Sequence, residues 1–150
     1  MQIHYRDPWM NALNERQKMF QEQVARLVPI LQRFGFEMET DRLYKLLESG
    51  SGKFTAFFRS SSRILKISFL TGRHNDGAVS FSIYPTTESK GINLYKYLRQ
   101  HFSLVNRRSL FLSKYKGNLS ERLSKVFDMY LRYGEFYMYG ILAGLKWDEE

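Results

Sequence analysis

KFTAFFRSSSRILKISFLTGRHNDGAVSFSIYP, residues 53–85, is the stretch on which the fold turns. It divides into three runs of period-two alternation, over 53–60, 63–71 and 78–85. Phe54, Ala56 and Phe58 alternate with Lys53, Thr55, Phe57 and Arg59. Leu65, Ile67 and Phe69 alternate with Ile64, Lys66, Ser68 and Leu70, and Val79, Phe81 and Ile83 with Ser80, Ser82 and Tyr84. Successive side chains of a strand point to opposite faces, so each run carries one apolar face and one mixed face. Three such runs joined by short turns predict an antiparallel meander.

Register follows from the demand that core faces core. A two-residue Ser61-Ser62 loop pairs Phe58 with Leu65 and Ala56 with Ile67. Serine pairs suit a primed turn poorly, so a longer loop of the same parity is the alternative. In the second hairpin a three-residue loop, Asn75-Asp76-Gly77, pairs Phe69 with Ile83 and Thr71 with Phe81, and sets Gly77 where positive φ is needed. On the mixed face this register puts Phe57 opposite Lys66 and Ser68 opposite Tyr84.

Around the meander the periodicity changes to helical. Asp7-Pro8 is a helix start, Asp as cap and Pro at the first position. Met10, Leu13, Phe20, Val24, Leu27, Leu31 and Phe34 then recur at spacings of three and four, interrupted by Gln17, bent near Pro29 and stopped by Gly35. This stripe packs on the chain's own sheet or, in the alternative, joins two copies through the 10–34 helix. Short helices are expected over 41–48 and 91–102, and a fourth strand over 109–115. Asn118 and Glu121 form a capping-box start for a helix that buries Leu119, Leu123, Val126, Phe127 and Tyr130 and exposes Glu121, Lys125, Asp128 and Arg132. Gly134 ends it, and a second apolar helix covers 135–145. The expectation is a single α+β domain over 1–150, with a long N-terminal helix and C-terminal helices on a three- to four-stranded antiparallel meander.

The net charge of +8 is concentrated. Residues 1–52 carry seven basic and seven acidic side chains, and 117–150 four and six. Residues 53–116 carry twelve Lys/Arg against only Asp76 and Glu88. A one-signed block of that kind attracts polyanions. The second face of the sheet interleaves aromatic rings with these cations, the physical arrangement of sheet-based single-strand binders, although no RNP-like consensus is present. Lys53, Arg59, Arg63, Lys66, Arg73, Lys96, Arg99, Arg107 and Arg108 are the candidate polyanion contacts. Phe57 and Tyr84 are the candidate stacking or interface rings. The alternative for Phe57, Ile64 and Leu70 is a floor beneath a covering helix.

Catalytic signatures fail one by one. Gly52-Lys53 resembles a phosphate loop, but Leu47 stands where the motif needs Gly and Phe54 where it needs Ser or Thr. His74-Asn-Asp-Gly is explained by turn chemistry. Cysteine is absent and only His4, His74 and His101 are present, which argues against metal centres; no cofactor is expected. Neither a leader nor a bilayer-length apolar run is read, so a cytoplasmic, non-membrane protein is expected. The chain reads as a non-enzymatic binder of nucleic acid or another polyanion. The alternative is a protein-interaction module, such as an inhibitor, immunity protein or adaptor, for an acidic protein partner.

Overall fold

A computed structural model of the chain describes residues 8–39, 44–48, 51–72, 74–86, 91–94 and 107–132. The fold is α+β. Among the described residues, helix α1 (Pro8–Gln32) leads into six strands: β1 (Glu37–Met38), β2 (Tyr44–Glu48), β3 (Ser51–Arg59), β4 (Arg63–Gly72), β5 (Asn75–Pro85) and β6 (Ile92–Asn93). Two 3-10 turns, Arg107–Leu110 and Leu112–Lys114, precede helix α2 (Leu119–Arg132). The strands form one antiparallel sheet in the order β1-β3-β4-β5-β6, with β2 also paired to β3.

The alternation decides which face is core. Phe54, Ala56, Phe58, Leu65, Ile67, Phe69, Val79, Phe81 and Ile83 are all at most 2% exposed. Both described helices cover this one face. Leu13, Phe20, Val24, Leu27 and Leu31 of α1 are buried, as are Leu123, Val126, Phe127 and Tyr130 of α2. Phe20 lies 6.2–6.3 Å from the rings of Phe54, Phe69 and Phe127. Phe81 stacks on Tyr130 at 3.9 Å and meets Phe127 edge-on at 5.8 Å. The Tyr130 hydroxyl donates to the Val79 carbonyl at 3.2 Å, so its burial leaves no orphaned polar tip. Leu13, Phe20, Val24, Leu27 and Leu31 of the α1 stripe are thus packed on the chain's own sheet.

Local chemistry sets the element ends. Gly35, at φ 84°, closes α1: its N–H donates to the Gln32 carbonyl at 3.0 Å and the Phe36 N–H to that of Leu31 at 3.1 Å. These are the two bonds of a Schellman motif, and Leu31 and Phe36 supply its buried apolar contact. The α1 helix continues through Pro29. At α2 the capping box is reciprocal, Asn118 N–H to Glu121 and Glu121 N–H to Asn118, both at 2.8 Å. Gly52 lies beneath Leu13, and a Cβ there would overlap the leucine side chain. The glycine that suggests a phosphate loop is thus a packing glycine.

The first hairpin has the expected register, Phe58 with Leu65 and Ala56 with Ile67. Its serine turn works because Ser60 Oγ accepts from the N–H groups of Ser62 and Arg63, at 3.3 and 3.0 Å. The second hairpin differs from expectation by four positions: Phe69 pairs with Val79, Ile67 with Phe81 and Leu65 with Ile83. A slip of four preserves facing, so alternation cannot detect it. Strand length decides instead, because the observed register pairs β4 and β5 along their whole lengths. The chain turns between Gly72 and Asn75, and Asp76 and Gly77 together oppose Thr71 in a bulge. Gly77 keeps its positive φ, 104°, within this bulge rather than in the loop.

Three other expectations are corrected. The segment 41–48 is not a helix where it is described: Tyr44–Glu48 is β2, paired with β3 along the same edge as β1. The helix expected from Gly91 begins instead with strand Ile92–Asn93. The strand over 109–115 is replaced by the two 3-10 turns, with one bridge from Phe111 to Ala78. Asp7 and the expected helix over 135–145 lie outside the described residues.

A polar cluster ties both helices to the bulge. Asp76 pairs with Arg122 of α2. Arg16 of α1 donates to Thr71 Oγ1 and to the Gly72 carbonyl, with its guanidinium 4.9 Å over the Trp9 ring. Burial lowers the Arg16 pKa; the Asp76 carboxylate opposes that effect and the Arg122 charge adds to it. Because a Cβ on residue 77 would overlap the Leu70 carbonyl, Gly77→Ala is expected to destabilise by more than about 1 kcal/mol in urea melts. Unchanged stability would mean that this bulge does not hold the hairpin.

Candidate polyanion-binding face

The second face of the sheet is a trough because of the sizes of its outward residues. Strand β5 presents Ala78, Ser80 and Ser82 there, and β4 presents Ser68 between the longer Lys66 and Leu70. Side chains stand roughly perpendicular to a sheet, so four small residues on two neighbouring strands leave a depression among longer ones. Lys53, directly opposite Leu70, borders it from β3. Leu110 closes it from the first 3-10 turn, which the Phe111–Ala78 bridge holds at the edge of β5. The cavity has a volume of about 260 Å³, and among the described residues its lining includes Lys53 and Lys66 but no carboxylate.

The face is not uniformly open. Thr55 and Ile64 are buried, Ser68 is nearly so, and Phe57 and Tyr84 are half-buried. Leu70, by contrast, is 54% exposed. Phe57 pairs with Lys66 as expected, and the ammonium lies 6.0 Å from the ring centroid. Tyr84 pairs with Ile64, not with Ser68, whose partner is Ser80; the register difference moves the ring away from the trough towards the Arg59 end.

The candidate cations fall into separate groups. Lys53 and Lys66 line the trough. Arg59 shares the face but donates from Nε to Glu39 at 2.8 Å, which cancels its charge locally. Arg63 has the opposite parity, is 9% exposed and donates to the Ser62 carbonyl at 3.3 Å; burial lowers its pKa. Arg108 is exposed on the 3-10 turn beside the trough wall. Arg73, Lys96 and Arg99 lie outside the described residues, as does the side chain of Arg107. Sequence reasoning missed the residues that make the depression, Ser68, Leu70, Ala78, Ser80, Ser82 and Leu110. The signal was legible as a run of small residues at alternate positions of one strand.

Among the described residues, no group of three or more His, Asp or Glu side chains is placed to hold a metal ion. Among them, too, no helix is long and apolar enough to cross a membrane. The chain matches no protein-family model, and searches of curated proteins and of solved structures find no significant match. Function has therefore to be read from charge and geometry.

Glu39 pairs with Arg59, which shares this face with Lys53 and Lys66. Glu39→Gln is expected to tighten binding of an oligonucleotide by up to about fivefold at 0.1 M salt, the value of one added phosphate contact. Fluorescence anisotropy checks this; unchanged affinity would exclude Arg59 from the binding surface.

Proposed function

We propose that this protein is a non-enzymatic binder of nucleic acid or a comparable polyanion, and that it engages its ligand through the second face of the sheet. One observation carries the reading: a concave site bordered by Lys53 and Lys66, with serine hydroxyls on its floor and, among the described residues, no acidic residue in its lining. Ammonium groups suit phosphate as point charges, and hydroxyls both donate and accept hydrogen bonds. The surplus of cations over 53–116 supports the reading by raising the potential around that site. Phe57, half-buried beside Lys66, adds an aromatic surface.

The second reading, an acidic protein partner, draws support from Leu70, an exposed apolar side chain beside Lys53 that suits an interface anchor. Salt dependence separates the two. Each phosphate contact to a single strand contributes about 0.7 to the log–log salt slope, or about fivefold in affinity at 0.1 M salt. Replacing Lys53 and Lys66 together with Gln is expected to weaken oligonucleotide binding about 25-fold at 0.1 M salt and to reduce the slope by about 1.4. Both lysines lie at the surface, so thermal melts are expected to stay nearly unchanged. Failure of the unmodified protein to bind DNA or RNA at 50 mM salt would overturn the polyanion reading and leave the acidic protein partner.

A further inference from the structure

The shape of the trough bears on which nucleic acid fits it. Neighbouring strands lie about 4.8 Å apart and residues about 3.4 Å apart along a strand, so the floor from Lys66 to Leu70 is roughly 14 Å long and two strands wide. The long axis has a cation at one end and, at the other, Leu70 with Lys53 opposite it. Among the described residues, Leu70 is the exposed large hydrophobic side chain. A smaller depression of about 130 Å³ continues past Leu70 and Ala78 to the Gly72–Gly77 bulge, with Phe111 in its wall. Leu70 therefore stands between two recesses.

A duplex presents its phosphates on a convex surface and keeps its bases stacked inside, so it can touch the rim lysines without filling a recess. A single strand can turn a base outwards. The flat apolar face of such a base suits contact with an aliphatic side chain, as where leucine wedges between base steps. Its polar edge meets Ser68, Ser80 and Ser82, whose hydroxyls accept either donors or acceptors and so tolerate any base. Resting on the polyanion reading above, we propose that this trough makes the protein a sequence-tolerant binder of single-stranded nucleic acid. One unstacked base lies against Leu70, and its flanking phosphates lie at Lys53 and Lys66.

The test is fluorescence anisotropy with a labelled twelve-nucleotide oligo-dT and with the same strand paired to oligo-dA, at 50 mM salt. The unmodified protein is expected to prefer the single strand about tenfold or more. Leu70→Ser is expected to weaken the single strand about fivefold or more, the lower end of what one base contact provides, while leaving its salt slope and the duplex affinity nearly unchanged. Ser80→Leu, which fills the trough from its floor, is expected to do the same, and thermal melts of both variants control for folding. Equal or tighter duplex binding, with Lys53→Gln and Lys66→Gln weakening both ligands, would overturn this inference and leave the polyanion reading standing. So would a single-strand preference that neither Leu70→Ser nor Ser80→Leu alters. Binding of neither ligand would remove the broader reading, and this one with it.

Discussion

The contact of Phe20 with Phe54, Phe69 and Phe127 is the constraint on which the architecture rests. It joins α1, two central strands and α2 at one point on one face of the sheet. Large aromatic rings bury more apolar area than any other side chain, and removing one from a packed core costs about 3–5 kcal/mol. Once both amphipathic helices are committed to that face, neither described helix has an apolar stripe left for the other. The asymmetry of the molecule follows. One side of the sheet is a dry aromatic core, and the other mixes buried, half-buried and open positions around a polar depression.

That asymmetry gives the small residues of β5 their meaning. Ala78, Ser80 and Ser82 alternate with Val79, Phe81 and Ile83, so one strand packs the core with large side chains and hollows the opposite face with small ones. The lysines sit at the border of the hollow because they belong to neighbouring strands at the register that the core dictates. Fold and candidate site are thus two consequences of one alternation. The bulge at Asp76-Gly77 adds a third: it ends the hairpin, anchors Arg122 of α2 through Asp76, and abuts the smaller recess beyond Leu70.

Much of this was legible in the residues, and the failures have physical causes. All nine core positions of the meander follow from alternation because burial on one face enforces period two. The helix ends at Gly35 and Asn118 follow from cap chemistry, which is local. Alternation leaves the second hairpin's register open to a slip of four, which keeps every residue on its face, and only the pairing of the whole strand length rejects it. Tyr44–Glu48 reads as helix because YKLLE carries good helix formers and too few residues to show a period; pairing to the edge of β3 overrides propensity. Lys53, Lys66 and Phe57 lie on the second face as the first-hairpin register predicts, since that hairpin alone fixes their facing. Tyr84 was misplaced by the register, Arg59 is neutralised by Glu39, and Arg63 turns to the opposite face at the strand end.

The central claim is that the second face of the sheet, opposite the one covered by α1 and α2, meets the ligand. A two-dimensional amide NMR titration with a short oligo-dT measures this directly, because each backbone N–H reports on its own surroundings. The account predicts progressive shifts confined to residues 53–57, 66–70, 78–82 and 108–111, with α1 and the outer face of α2 unmoved. Shifts centred on α1 or on Glu121, Lys125 and Arg132, with 66–70 and 78–82 unmoved, would contradict it.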